Sequence, residues 1–124
     1  MKYLLFVAIG GSAGAVCRYL TSQWVHSLWE GRFPLGTLLV NLLGSALIGV
    51  AYVAIERQIM HPDWRGVLMV GFLGAFTTFS TFSLESIALF EEGHSTLALA
   101  YMMGSAFLCV AAAGAAIYLT RMLP

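Results

Sequence analysis

The sequence has very little charge. Lys and Arg total 6, Asp and Glu total 6, and together they make up 10% of 124 residues, while 60% are hydrophobic and the mean hydropathy is +0.85. Soluble domains carry about 25% charged residues, so water is an unfavourable solvent for most of this chain. The formal net charge of +0 gives no bulk attraction for nucleic acid or for an acidic partner.

The sequence also lacks the residues of common catalytic and metal sites. His26, His61 and His94 lie between the apolar stretches, so no Ser/His pair is available within them. No GxxxxGK sequence is present to bind nucleotide phosphates. Cys17 and Cys109 lie in apolar stretches without CxxC or His spacing, which predicts buried, unpaired thiols. An enzyme is therefore not expected.

Long apolar stretches are abundant instead. A helix needs roughly 20 apolar residues to cross the hydrocarbon core of a bilayer. Four stretches of that kind are present, at about residues 3–22, 36–55, 66–90 and 97–119. The connections between them are too short to hold a soluble domain. The sequence predicts an all-α membrane protein, residues 1–124 forming a single four-span domain in a lipid bilayer.

The few basic residues give a weak preference for one orientation. If both termini share a side, Lys2, Arg57, Arg65 and Arg121 face that side, and Arg32 faces the other. The positive-inside rule then favours cytoplasmic termini by only a few charges. Four helices enclose little space, and we see no internal repeat. We therefore expect a pore or site to lie between two copies, and weak orientation would allow them to insert antiparallel.

Polar side chains recur at helical spacing in the second span. Thr37, Asn41 and Ser45 are spaced i, i+4, i+8, which places them on one helical face. A lone Asn in a membrane helix usually joins two helices, worth on the order of 1 kcal/mol. Its alignment with two hydroxyls favours the wall of a polar track.

The fourth span has the same spacing, in Tyr101, Ser105 and Cys109. All three side chains donate hydrogen bonds, and none carries a negative charge at neutral pH. Ser105 alone could bond the carbonyl four residues before it. The repetition of the spacing on two helices favours a shared conduit.

The stretch GAFTTFSTFSLE, from Gly74 to Glu85, is the most unusual part of the third span. Gly74 and the β-branched Thr77 and Thr78 disfavour a continuous helix, so we expect the third helix to be broken near the midplane. Freed backbone carbonyls from Gly74 to Thr78 could bind a cation such as Na⁺.

Aromatic and hydroxyl side chains alternate after the expected break. Thr78, Thr81 and Glu85 fall on one helical face, and Phe79 and Phe82 fall on a neighbouring one. An aromatic ring has a positive edge, so the two Phe edges could contact an anion, although Phe more commonly serves in packing.

Two residues within the spans are charged, which is costly in a membrane and indicates a function. Arg18 either reaches the membrane interface or lines a watery cavity, where its donors would attract an anion. Glu85 is the only acidic residue inside a span. It could carry protons, pair with Arg18, order the Thr81 hydroxyl or simply reach water. The sequence alone leaves these alternatives open.

Three segments together resemble the Fluc (CrcB) fluoride channel family. They are GGSAGAVCRY in the first span, PLGTLLVNLLG in the second and GFLGAFTTFSTFSLE in the third, and the likeness extends over all four spans. The resemblance implies an antiparallel, dual-topology homodimer in the bacterial inner membrane. It implies two pores that pass fluoride passively out of the cytoplasm, and a structural Na⁺ at the dimer centre.

The resemblance also implies roles for individual residues. Na⁺ would be bound by the backbone carbonyls of Gly74 and Thr77. The anion pathway would be formed by Asn41, Phe79, Phe82, Thr81, Ser105, Tyr101, Arg18 and Glu85. The chain departs from the family at two points: Ala75 follows Gly74 where Gly-Gly is frequent, and Cys109 stands where a hydroxyl is usual.

Two other functions stay open at this point. A small multidrug resistance transporter also has four short spans, exchanging protons for cationic drugs through a carboxylate in its first helix. Here the first helix carries Arg18, and the carboxylate is Glu85 in the third. A non-transporting scaffold subunit would use the Gly-rich faces only for packing against larger partners.

Overall fold

The computed structural model describes residues 1–124 and is entirely helical between short connections. Helix α1 spans Lys2–Leu28 and α2 spans Leu35–Glu56. A π-helix, Arg65–Leu73, continues into the helical turn α3, Gly74–Phe76. Helices α4, Phe79–Glu91, and α5, Ser95–Met122, complete the chain. The all-α prediction is confirmed.

Four segments are long and apolar enough to cross a membrane: Lys2–Leu28, Leu35–Glu56, Arg65–Glu91 and Ser95–Met122. Each contains one of the four predicted apolar stretches. Within the third, Thr77 and Thr78 have extended backbone between α3 and α4. The expected site of interruption began at Gly74, but Gly74 is helical, so the extended backbone is confined to two residues.

Glycines allow α1 to lie directly against the π-helix. A Cβ atom at Gly10 would be 1.9 Å from the Val67 carbonyl oxygen, and one at Gly14 would be 2.1 Å from that of Phe72. Neither distance is possible for a real Cβ, so only glycine permits this approach. Close contact of backbones through small residues is the usual way for helices to associate in lipid.

Polar contacts place both chain termini at one end of the bundle. Lys2 pairs with Asp63 at 3.0 Å, which brings the start of α1 to the 57–64 connection. Arg121 pairs with Glu56 at 2.9 Å, which brings the end of α5 to the end of α2. At the opposite end Arg32 contacts His94. This arrangement follows from an even number of crossings.

A single chain buries little of its apolar surface. Only 18 of 124 residues are buried, and side chains such as Val110, Phe107 and Leu84 are more than 70% exposed. Exposed apolar area on this scale is unfavourable in water and is explained by contact with lipid or with another protein surface. The chain is a membrane protein with most of its apolar side chains directed outward.

Candidate functional site

A cavity of about 470 Å³, here called the central cavity, lies beside the extended residues Thr77 and Thr78. It is bordered by α2, α4, α5 and the end of the π-helix. Six of the residues that the sequence predicts to contact ions line it: Asn41, Gly74, Thr77, Phe79, Phe82 and Ser105. Ser45 and Cys109, from the two helical i, i+4, i+8 patterns, line it as well.

A second cavity, the loop cavity, has a volume of about 420 Å³ and lies beside the 29–34 connection. Its walls come from the second half of α1, this connection and the start of α2. Thr37 and Glu85 line it, together with Arg32 and His26. The loop cavity therefore contains charged and polar groups, whereas the central cavity has none with a full charge.

Glu85 is held by hydroxyl groups from two other helices. Thr37 Oγ1 donates to Glu85 Oε1 at 2.7 Å, and Tyr101 Oη donates to Glu85 Oε2 at 3.1 Å. The two partners considered for Glu85 from the sequence, Arg18 and the Thr81 hydroxyl, make no hydrogen bond with it. Hydrogen bonds between a hydroxyl and a carboxylate are among the stronger ones in proteins, so this group of three ties α2, α4 and α5 together.

Aromatic rings connect Glu85 to the central cavity. The Tyr101 ring is fully buried, and its centroid is 5.1 Å from that of Phe82. Phe82 in turn lies 5.5 Å from Phe79, and both phenylalanines line the central cavity. Phe79 is 79% exposed in the single chain. Tyr101 lines neither cavity and packs against Phe82, which lines the central cavity.

Ser105 has a hydroxyl without a partner. Its side-chain oxygen is buried, the residue is 5% exposed, and no hydrogen bond is made to it. The back-bond to the carbonyl of Tyr101, which Ser105 could have made, is absent. A buried polar group without a partner costs about 1–3 kcal/mol, so a group of this kind at a cavity wall indicates a ligand or water.

Asn41 is bonded to the backbone of Thr78 through both ends of its amide. Its Oδ1 accepts from the Thr78 N–H at 2.7 Å, and its Nδ2 donates to the Thr78 carbonyl at 3.1 Å. The Asn41 amide keeps one N–H for another acceptor. The sequence predicted Asn41 as a wall of the pathway but gave no indication of this attachment.

Thr81 and Arg18 lie outside both cavities. Thr81 accepts a hydrogen bond from Thr78 Oγ1 at 3.0 Å at the start of α4. The Arg18 guanidinium donates through Nε to the Ala75 carbonyl at 3.1 Å. The arginine that lines the loop cavity is Arg32. Sequence reasoning missed Arg32 because it falls in a connection, where a cation is unremarkable.

The Gly74 and Thr77 carbonyls have each lost the donor that a continuous helix would supply. The Thr78 N–H, which would reach the Gly74 carbonyl, donates to Asn41. The Thr81 N–H, which would reach that of Thr77, donates to Thr78 Oγ1 at 3.3 Å. Carbonyl oxygens that lack a helical N–H donor are suitable ligands for a hard cation such as Na⁺. The residues present therefore fit the Na⁺ site implied by the resemblance.

Comparison with known proteins gives consistent matches over almost the whole chain. The family described as "CrcB-like protein, Camphor Resistance (CrcB)" matches residues 5–117. A protein of Hahella chejuensis named fluoride-specific ion channel FluC is 49% identical over 99% of this chain and 98% of its own length. A protein of the same name from Saccharophagus degradans is 49% identical over 96% of this chain and 90% of its own.

A third relative with that name, from Magnetococcus marinus, is 49% identical over 89% of this chain and 90% of its own length. The family match, residues 5–117, covers all of the chain except its ends. The chain belongs to the CrcB-like family.

Proposed function

We propose that this protein is a fluoride-selective channel that lets fluoride leave the cytoplasm down its gradient and so lowers fluoride toxicity. The names of its relatives support this function, and so does the site. The observation that carries it is the Ser105 hydroxyl, which is buried, without a partner and at the wall of the central cavity. In the proposal this hydroxyl donates to the passing anion.

The pathway replaces the water around fluoride with neutral donors. Fluoride is small and strongly hydrated, so each lost water has to be exchanged for a donor at short range. Ser105 and the free N–H of Asn41 supply donors in the central cavity, and the edges of Phe79 and Phe82 supply weaker contacts. Because none of these groups carries a full positive charge, the ion is not trapped.

Glu85 and its two hydroxyl partners form the polar connection on the far side of Phe82. In the proposal the carboxylate fixes the orientation of the Thr37 and Tyr101 hydroxyls, which donate to its two oxygens. Arg32 raises the local concentration of anions in the loop cavity. No proton needs to accompany the anion, and no covalent chemistry takes place.

The working unit of the proposal is an antiparallel homodimer in the bacterial inner membrane. The central cavity borders exposed apolar residues, among them Phe79, which a second copy would cover. Thr77 and Thr78 would then lie near the bilayer midplane, where backbone carbonyls require a partner. Gly74 and Thr77 of both copies would supply carbonyl oxygens to one structural Na⁺ at the dimer centre.

Flux from liposomes tests the proposal. Purified protein is reconstituted in vesicles loaded with potassium fluoride, and a K⁺ ionophore starts the efflux, which a fluoride electrode records. Fast efflux without a pH gradient, together with none in chloride-loaded vesicles, is the expected result. Transport that follows a proton gradient and drug cations would favour the multidrug transporter. Absence of any flux would favour the scaffold.

A further inference from the structure

The side chain of Asn41 does more than line the central cavity. Its two hydrogen bonds to Thr78, at 2.7 Å and 3.1 Å, pair the amide with one backbone unit as a neighbouring β-strand would. Residues 41 and 78 lie on different helical segments, so the contact is tertiary. The N–H and carbonyl of an extended residue between two helices have no helical partners and need others, and here Asn41 pairs both.

This pairing decides which carbonyls stay free. In an uninterrupted helix the Thr78 N–H would donate to the Gly74 carbonyl. Because Asn41 Oδ1 accepts that N–H, the Gly74 carbonyl is released. The extended conformation of Thr78 also lets its hydroxyl accept the Thr81 N–H, which releases the Thr77 carbonyl. Both released oxygens therefore depend on the conformation that Asn41 holds.

We infer that Asn41 is a positioning residue for a sodium site formed by the Gly74 and Thr77 carbonyls. This inference rests on the sodium ion of the proposed function and adds a physical link between that ion and the anion pathway. Without the Asn41 amide, the Thr78 N–H is free to bond the Gly74 carbonyl and to extend α3 by one residue. The cation would then lose a ligand although no ligand residue had been changed.

The stability of the purified protein as a function of sodium concentration tests this inference. The thermal midpoint of unfolding in detergent is measured while Na⁺ is replaced stepwise by choline, and in a second series by K⁺. The quantity compared between variants is the Na⁺ concentration that gives half of the full stabilisation. Asn41→Leu removes both hydrogen bonds and keeps the branched shape of the side chain. All proteins are purified in saturating Na⁺, which stabilises a weakened site.

Ser45→Ala is the matched control. Ser45 lies one turn further along α2 and lines the same cavity, but it does not contact the 74–78 backbone through any hydrogen bond. We expect Asn41→Leu to need at least about tenfold more Na⁺, because it loses two hydrogen bonds of about 1 kcal/mol each and tenfold corresponds to about 1.4 kcal/mol. We expect Ser45→Ala to stay within about threefold of the unmodified protein, well short of that loss.

The outcomes separate this inference from the proposal on which it rests. An Asn41→Leu protein with an unchanged Na⁺ requirement would overturn the positioning role, provided that the unmodified protein prefers Na⁺. If the unmodified protein gains no stability from Na⁺ over K⁺ or choline, the sodium site itself fails, and the inference fails with it. The fluoride-channel function would still be decided separately, by the efflux measurement in liposomes.

Discussion

The Tyr101 hydroxyl on α5 donates a 3.1 Å hydrogen bond to the Glu85 carboxylate on α4. The ring that carries this hydroxyl is fully buried between Phe33 and Phe82, with centroid distances of 5.4 Å and 5.1 Å. One side chain therefore donates a hydrogen bond to Glu85 and packs against a ring that lines the central cavity. Its polar and apolar parts can be tested independently, since Phe has the same ring without the hydroxyl.

Tyr101→Phe is expected to slow fluoride efflux by at least about tenfold, a barrier higher by about 1.4 kcal/mol, because its hydroxyl belongs to the polar connection of the proposed pathway. The free energy of unfolding should fall by only about 1 kcal/mol, the usual value for one polar contact between membrane helices. Liposome efflux and thermal unfolding in detergent measure the two effects. Tyr118→Phe, at an exposed position of the same helix, serves as control. Equal efflux from both variants would remove the Tyr101 hydroxyl from the pathway.

Gly10→Ala and Gly14→Ala are expected to lower the free energy of unfolding by about 1–3 kcal/mol each, the usual cost of overpacking. The added methyl group would overlap the carbonyl oxygen of Val67 or Phe72, so α1 would have to move away from the π-helix. Thermal unfolding and the yield of folded protein on a sizing column measure the effect.

Gly114→Ala on α5 is the control for this pair. A Cβ at Gly114 meets nothing within 4 Å, so the change should be neutral or stabilising by up to about 1 kcal/mol through helix propensity. A loss at Gly114 as large as that at Gly10 would mean that backbone flexibility, and not close packing, is the reason for these glycines.

The helices and their polar faces could be predicted from the sequence because both depend on local information. The length of an apolar stretch fixes a span, and i, i+4, i+8 spacing fixes which side chains share a face. Asn41 and Ser105 were expected on polar faces, and the structure brings both to the central cavity. Neither prediction requires knowledge of how the helices pack.

The hydrogen-bond partners could not be predicted because they depend on packing between helices. Glu85 had several candidate partners in the sequence, and Tyr101 was not considered among them, although it is the residue that packing brings into contact. The sequence predicted an interruption among Gly74, Thr77 and Thr78, but not which of these residues would be extended. Local propensity favours a break at glycine, but the Asn41 amide offers its hydrogen bonds to Thr78.

Phe82→Ile is expected to slow fluoride efflux by at least about tenfold, a barrier higher by about 1.4 kcal/mol, because the positive ring edge that contacts the anion in the proposal is lost. The proposed dimer should stay intact, because Ile fills most of the same apolar volume. Efflux from liposomes and the elution volume on a sizing column measure these effects. Phe107→Ile changes a ring that is 73% exposed and lines neither cavity. Unchanged efflux in Phe82→Ile would assign that ring to packing alone.

Arg18→Lys separates the charge of Arg18 from its hydrogen-bond geometry. The Arg18 Nε reaches the Ala75 carbonyl, next to Gly74, across the interface between α1 and α3. Lysine keeps the positive charge on a shorter, flexible side chain without an Nε donor. We expect the free energy of unfolding to fall by about 1 kcal/mol, the value of one such contact. If Arg18 instead acts by attracting anions, Arg18→Lys should keep both stability and efflux, and Arg18→Gln should lose efflux alone. Thermal unfolding and liposome efflux of the two variants, measured side by side, distinguish a structural contact from an electrostatic one.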